Sequence, residues 1–132
     1  MLLTQNELPM MEIASMNDSH LEELILINKL DIECKKNSLE EVSKLLEELY
    51  EQTVTHFSQE EELMQKGDYP EFQTHKAEHD RHLKEFRALR KYFDKNQDTR
   101  AISAYVEGNL GKWVIHHTET MDKPMASVLK EI

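Results

Sequence analysis

Seven side chains of this sequence carry the donor atoms that metals use: His20, His56, Glu60, His75, His79, His117 and Asp122. His56 precedes Glu60 by four residues, as His75 precedes His79, and that spacing puts two side chains on one face of a helix. Each pair can then reach a common point inside a helical bundle. His117 and Asp122, five residues apart, form a third pair, and His20 adds a donor from an earlier helix. Five imidazoles and two carboxylates converging from four helices predict a two-metal site. Iron, zinc, copper and cobalt all accept nitrogen and oxygen donors of this kind.

The faces on which these residues fall sharpen the expectation. In the second helical segment Val42, Leu45, Leu49, Thr53, His56, Glu60 and Leu63 recur in steps of three and four, so Glu60 points inward. A carboxylate in an apolar interior costs several kcal/mol, or keeps its proton, unless a cation compensates it. The third segment repeats the pattern with Phe72, His75, His79, Leu83 and Phe86, and the fourth with Ile102, Val106, Leu110, Trp113, His117 and Met121. Asp122 is about 140° around an ideal helix from His117 and joins the same centre only if the helix end is loosened. A lone inward histidine such as His20 is more often a core residue bonded to a carbonyl. Three pairs on three apolar stripes are not explained that way. His116, turned about 100° from His117, is expected at the surface.

Four helices must position these groups. Asn17, Asp18 and Ser19 offer capping oxygens, and Ser19 with Glu22 has capping-box spacing, which predicts a first helix over about 18 to 36 behind an arm of residues 1–17. Ser38 with Glu41 opens a second, running to Lys66 and closed by Gly67 as a left-handed cap. A third spans about 71 to 94, Asp94 to Asp98 make a polar loop, and the fourth runs from Thr99 to about Met121. Pro124 is expected to interrupt it, leaving residues 123–132 as a tail. With 132 residues and only three glycines and three prolines, the chain reads as one all-α domain, an up-down-up-down antiparallel four-helix bundle. A net charge of −10 disfavours nucleic acid and anionic membranes as partners. The single cysteine, Cys34, the lack of a secretory leader and the lack of about 18 consecutive apolar residues predict a cytoplasmic protein without membrane insertion. The apolar stripes are used up within one bundle, which predicts a monomer.

The segments HLEELILINKL from His20, HFSQEEELM from His56, YPEFQTHKAEH ending at His79, and WVIHHTETMD from Trp113 to Asp122 together resemble the bacterial single-domain hemerythrins, over about residues 10 to 125. The family's last histidine lies four residues after the tryptophan and five before the aspartate, which selects His117 over His116. The resemblance implies a non-haem di-iron centre that binds dioxygen reversibly. It assigns His75, His79 and His117 to one iron and His20 and His56 to the other, with Glu60, Asp122 and an oxo or hydroxo group bridging them. The first iron then has six ligands and the second five, so dioxygen has one open position. Phe57, Trp113 and Ile115 are candidate lining of the dioxygen pocket, with ordinary core packing as the competing reading for each.

The departures from the family pattern carry expectations of their own. Many members have an upstream tryptophan and an aspartate three residues before the first histidine. Here the segment is ELPMMEIASMNDSH, with Asn17 in the aspartate's place, so the N-terminal arm should pack differently. His82 stands three residues after His79, where relatives commonly have phenylalanine. It is expected either to put a titratable donor near the centre, altering autoxidation or release, or to lie exposed at the edge of the stripe. A dioxygen carrier, store or delivery protein is the first functional expectation. An oxygen or redox sensor and a di-iron peroxidase are the alternatives; related bundles of the latter kind use more carboxylates, with a glutamate three residues before a histidine, and no such pair occurs here.

Overall fold

The chain folds as an antiparallel four-helix bundle, seen in a computed structural model that describes residues 13–129. Helix α1 spans Ala14–Lys35, α2 Leu39–Lys66 and α3 Phe72–Asn96. The fourth helical run comprises α4 (Thr99–Tyr105), α5 (Gly111–His117) and α6 (Lys123–Leu129), joined by π turns at Val106–Leu110 and Thr118–Asp122. Each helix packs beside its chain neighbours, and α1 also packs against the fourth run, closing the ring. No strand occurs among the described residues.

Several helix ends differ from expectation. The first helix begins at Ala14, and Ser19 lies inside it, so the Ser19–Glu22 box caps nothing. The expected arm therefore ends before Ala14, and its residues 1–12 lie outside the described residues. Ser38 does precede α2 but makes no side-chain cap bond. The left-handed residue after α2 is Asp68 (φ 50°), not Gly67 (φ −93°); Asn37 (φ 56°) and Gln97 (φ 51°) play the same part after α1 and α3. Asn and Asp accept this region because their short polar side chains bond locally. Asp98 caps α4 by accepting the Arg100 and Ala101 N–H groups at 3.1 and 3.2 Å.

Pro124 does not stop the fourth run. Backbone angles stay helical through His117, Thr118 and Lys123, and the Lys123 N–H bonds the Thr118 carbonyl, an i→i+5 closure. The hydrogen-bond ladder has already changed register at this turn, so a residue without an N–H continues the helix. Residues 123–129 accordingly extend the bundle and are not a separate tail; residues 130–132 lie outside the described residues. The earlier π turn has its own consequence. One extra residue in that turn advances the buried stripe from the expected Trp113 and Met121 to Gly111, Val114, Thr118 and Asp122, while Leu110 and His117 stay buried and Trp113 and Met121 are half-buried.

Two apolar clusters fill the interior. The larger unites Leu24, Ile27, Leu30, Val42, Leu46, Leu49, Phe86, Phe93, Ile102, Leu110 and Val114, and the smaller unites Met16, Met64, Met125, Ala126 and Leu129. On every helix the predicted donors fall between the two clusters in sequence, so the site is a polar layer with an apolar block on each side. Leu46 is fully buried and Ile32 is 40 % exposed. Leu46→Ala should lower the unfolding free energy of the metal-free protein by about 2–5 kcal/mol, and Ile32→Ala by about 0.5 kcal/mol or less, both measured by urea denaturation.

Candidate metal centre

All seven expected donors are buried, each less than 5 % exposed. Their ligand atoms form two groups, each spanning no more than 4.8 Å: Glu60, His75, His79, His117 and Asp122 in one, and His20, His56, Glu60 and Asp122 in the other. The two carboxylates belong to both groups.

Each carboxylate divides its oxygens between the two groups. Glu60 Oε1 faces His79 Nε2 at 3.1 Å and His75 Nε2 at 3.6 Å, while Oε2 faces His56 Nε2 at 2.5 Å and His20 Nε2 at 3.9 Å. Asp122 Oδ1 lies 2.9 Å from His75 Nε2 and 3.1 Å from His117 Nε2, and Oδ2 lies 3.1 Å from His20 Nε2. Asp122 reaches this position because it ends a π turn. With one extra residue in the turn, a spacing of five behaves like an α-helical spacing of four. The loosened helix end required by the sequence is therefore present, although Pro124 does not break the helix.

The electrostatics of the metal-free pocket separate the two carboxyls. Burial raises the Glu60 carboxyl well above the usual range, and the Asp122 charge adds to this. Burial also opposes the charge on Asp122, but hydrogen bonds from His117, His20 and His75 outweigh it and hold that carboxyl well below the usual range. Burial, reinforced by His75 and His117, pushes His79 down to about 2. Several polar atoms remain without a hydrogen-bond partner, including His79 Nε2, His117 Nδ1 and Glu60 Oε1. Orphaned donors and acceptors in a sealed layer are costly. Metal cations would satisfy them, so the residues fit a pair of bound ions.

Aromatic rings support the three-histidine group. Phe57 stacks on His79 with centroids 3.8 Å apart and planes 2° apart, and Trp113 stacks on His117 at 4.5 Å and 10°. Trp113 also donates its indole N–H to Glu78 at 2.9 Å. Ile115 is half-buried against the larger apolar cluster. Phe57 also lies tilted against His56 of the two-histidine side, with centroids 5.7 Å apart. His116 is exposed, as expected.

His82 is 2 % exposed, which removes the reading of an exposed histidine at the stripe's edge. It takes the inward place expected for Leu83, which is half-buried, and stacks on Trp113 of the fourth helical run at 3.7 Å and 6°. Burial, with the charge of His117, lowers its pKa to about 3.

Two further carboxylates escaped the sequence reading. Glu61 lies 3.0 Å from His79 Nδ1, the nitrogen turned away from the centre, and orients that ring as a carboxylate behind a ligand histidine does. Nothing in the run Glu60–Glu61–Glu62 marks it out. Glu23 is 3 % exposed, and burial raises its carboxyl, opposed by His56 and His20. A signal for it did exist: Met16, His20, Glu23, Ile27, Leu30 and Cys34 alternate in steps of four and three, the signature of an inward seam.

With this geometry established, comparison with known proteins is decisive. Residues 11–129 match the family model described as the hemerythrin HHE cation binding domain. The chain belongs to the hemerythrin family. It is 28 % identical to a bacteriohemerythrin of Aquifex aeolicus over 129 residues, covering 98 % of both chains. It is 32 % identical to the bacteriohemerythrin of Methylococcus capsulatus over 112 residues, covering 81 % of this chain and 80 % of that one. A solved wild-type hemerythrin superposes with a TM-score of 0.80 at 28 % identity, covering 98 % of this chain and 97 % of the other. Within this hemerythrin fold, the buried histidine and carboxylate cluster is the candidate metal centre.

Because burial raises the Glu60 carboxyl well above the usual range without metal, loading should release protons and tighten as pH rises. Alanine in place of His56, His75, His79 or His117 should lower bound metal and the metal-dependent rise in Tm together, read by elemental analysis and calorimetry; a variant keeping both would not be a ligand. His82 gives a separate test. Its imidazole is neutral when folded down to about pH 3, whereas in the unfolded chain it protonates near pH 6.5. The unfolded state binds more protons in that window, so stability falls as pH drops through it. His82→Phe should flatten the decline in unfolding free energy of the metal-free protein from about pH 6.5 to pH 4.

Proposed function

We propose that this hemerythrin binds dioxygen reversibly at a di-iron centre and serves in oxygen storage, transport or delivery rather than as an enzyme. The observation that carries the reading is the division of labour at Glu60 and Asp122: each offers one oxygen to either histidine group, which is what a carboxylate bridging two metals must do. His75, His79 and His117 would hold one iron, and His20 and His56 the other. The bound irons would supply the electrons that reversible dioxygen binding needs.

The remaining roles belong to the chain. The three-histidine side is donor-rich and braced by Phe57 and Trp113, so it has no place for a further ligand. The two-histidine side has one protein donor fewer and is where a small molecule would enter. The apolar blocks on both sides exclude water, which slows loss of the bound molecule in a damaged form. His82 and Trp113 form an aromatic contact behind His117, and we assign them a supporting role that tunes autoxidation. Among the described residues no helix is long and apolar enough to cross a membrane. We place the protein in the cytoplasm as a monomer, with dioxygen as its small-molecule partner. A second reading, di-iron peroxidase or redox sensor, is favoured by one feature, the additional buried carboxylate Glu23.

Purified, iron-quantified protein should be reduced without oxygen, titrated with oxygen and deoxygenated while its visible spectrum is followed. The expected result is about two irons per chain and a colour change that reverses over repeated cycles. Two irons with immediate irreversible oxidation would overturn the carrier reading in favour of peroxidase or sensor chemistry.

A further inference from the structure

Three carboxylates are buried at the level of the centre, and Glu23 is the one the bridging arrangement does not use. It lies one turn beyond His20 on the same inward face of α1, on the side toward the larger apolar cluster. The charges that act on it are those of the centre, in the order His56, His20, Asp122 and His117. The first two define the two-histidine side. Glu23 is not among the donors gathered within 4.8 Å of one another, so it flanks the metal position and does not complete it.

Burying a carboxylate in this place has a physical requirement and a chemical result. Its desolvation is met by keeping the proton or by nearby positive charge, and bound cations would supply that charge. A carboxylate beside cations is ionised. It then presents a fixed negative charge to the side of the centre that has one protein donor fewer. Neutral diatomic molecules are indifferent to that charge, whereas small anions competing for the same position are repelled in a low-dielectric interior.

We propose that Glu23 is the specificity-determining residue of the exogenous-ligand position on the two-histidine side, admitting neutral diatomic ligands and disfavouring anions. This rests on the two-metal reading above. A test that separates the two uses cobalt(II) as the metal and azide as the anion. Wild type, Glu23→Gln and Glu23→Leu are loaded with cobalt, their helicity and cobalt content are measured, and azide is titrated against the visible absorption of the metal. The near-isosteric Glu23→Gln removes charge with little change in volume, so it guards against a variant that fails to fold. Two cobalts per chain in all three proteins, with azide binding at least about tenfold tighter in both variants, is the expected result. Unchanged or weaker azide binding in Glu23→Gln overturns the role of Glu23 while leaving the two-metal site intact. Fewer than two cobalts in wild type overturns the two-metal reading, and this inference with it.

Discussion

Two carboxylates removed from water, Glu60 and Asp122, share a layer with five imidazoles, and the cost of burying them governs what surrounds them. In the metal-free pocket the strain is visible as opposite displacements of the two carboxyls, Glu60 raised by burial and Asp122 lowered by hydrogen bonds from three histidines. Such a layer is unstable as an ordinary core, because an apolar filling of similar volume would pack without orphaned nitrogens. It makes sense as a site whose full set of partners includes cations. The apolar clusters on both sides keep the layer dry and fix the helices that aim the donors.

The fourth helical run shows how that requirement bends local structure. An uninterrupted α-helix would turn Asp122 away from His117, and the chain resolves this with a π turn that adds a residue to one revolution. The same device, at Val106–Leu110 earlier in the run, shifts the buried stripe and leaves Trp113 half-buried with its indole N–H donated to Glu78. Placed there, the indole lies between His82 and His117 as a stacking partner of each. Backbone irregularity, ring stacking and ligand aim are thus parts of one arrangement.

The boundary between the centre and the larger cluster is unusually polar. Glu23, Thr53 and His82 occupy inward positions one turn from candidate ligands on α1, α2 and α3. Thr53 is satisfied by its own helix, donating to the Leu49 carbonyl at 2.7 Å. His82 stacks on Trp113 and stays neutral, and burial raises the Glu23 carboxyl against the opposing charges of His56 and His20. Each therefore meets its burial in a different way.

The sequence by itself determined the helical class, the four segments and all seven donors, because period-3.6 stripes and spacings of four are local properties that the backbone converts directly into faces. Glu23 was legible by the same rule, on the seam from Met16 to Cys34. Tertiary structure decided the rest. Which oxygen of Asp122 meets His20 and which meets His75 depends on helices more than 40 residues away in the chain. The burial of His82, the partnership of Glu61 with His79 and the start of α1 at Ala14 follow from packing, which overrides a capping box worth about 1 kcal/mol. The loosened end at Asp122 was legible from its spacing of five after His117, whereas the π turn at Val106–Leu110 left no such mark and is fixed by packing alone.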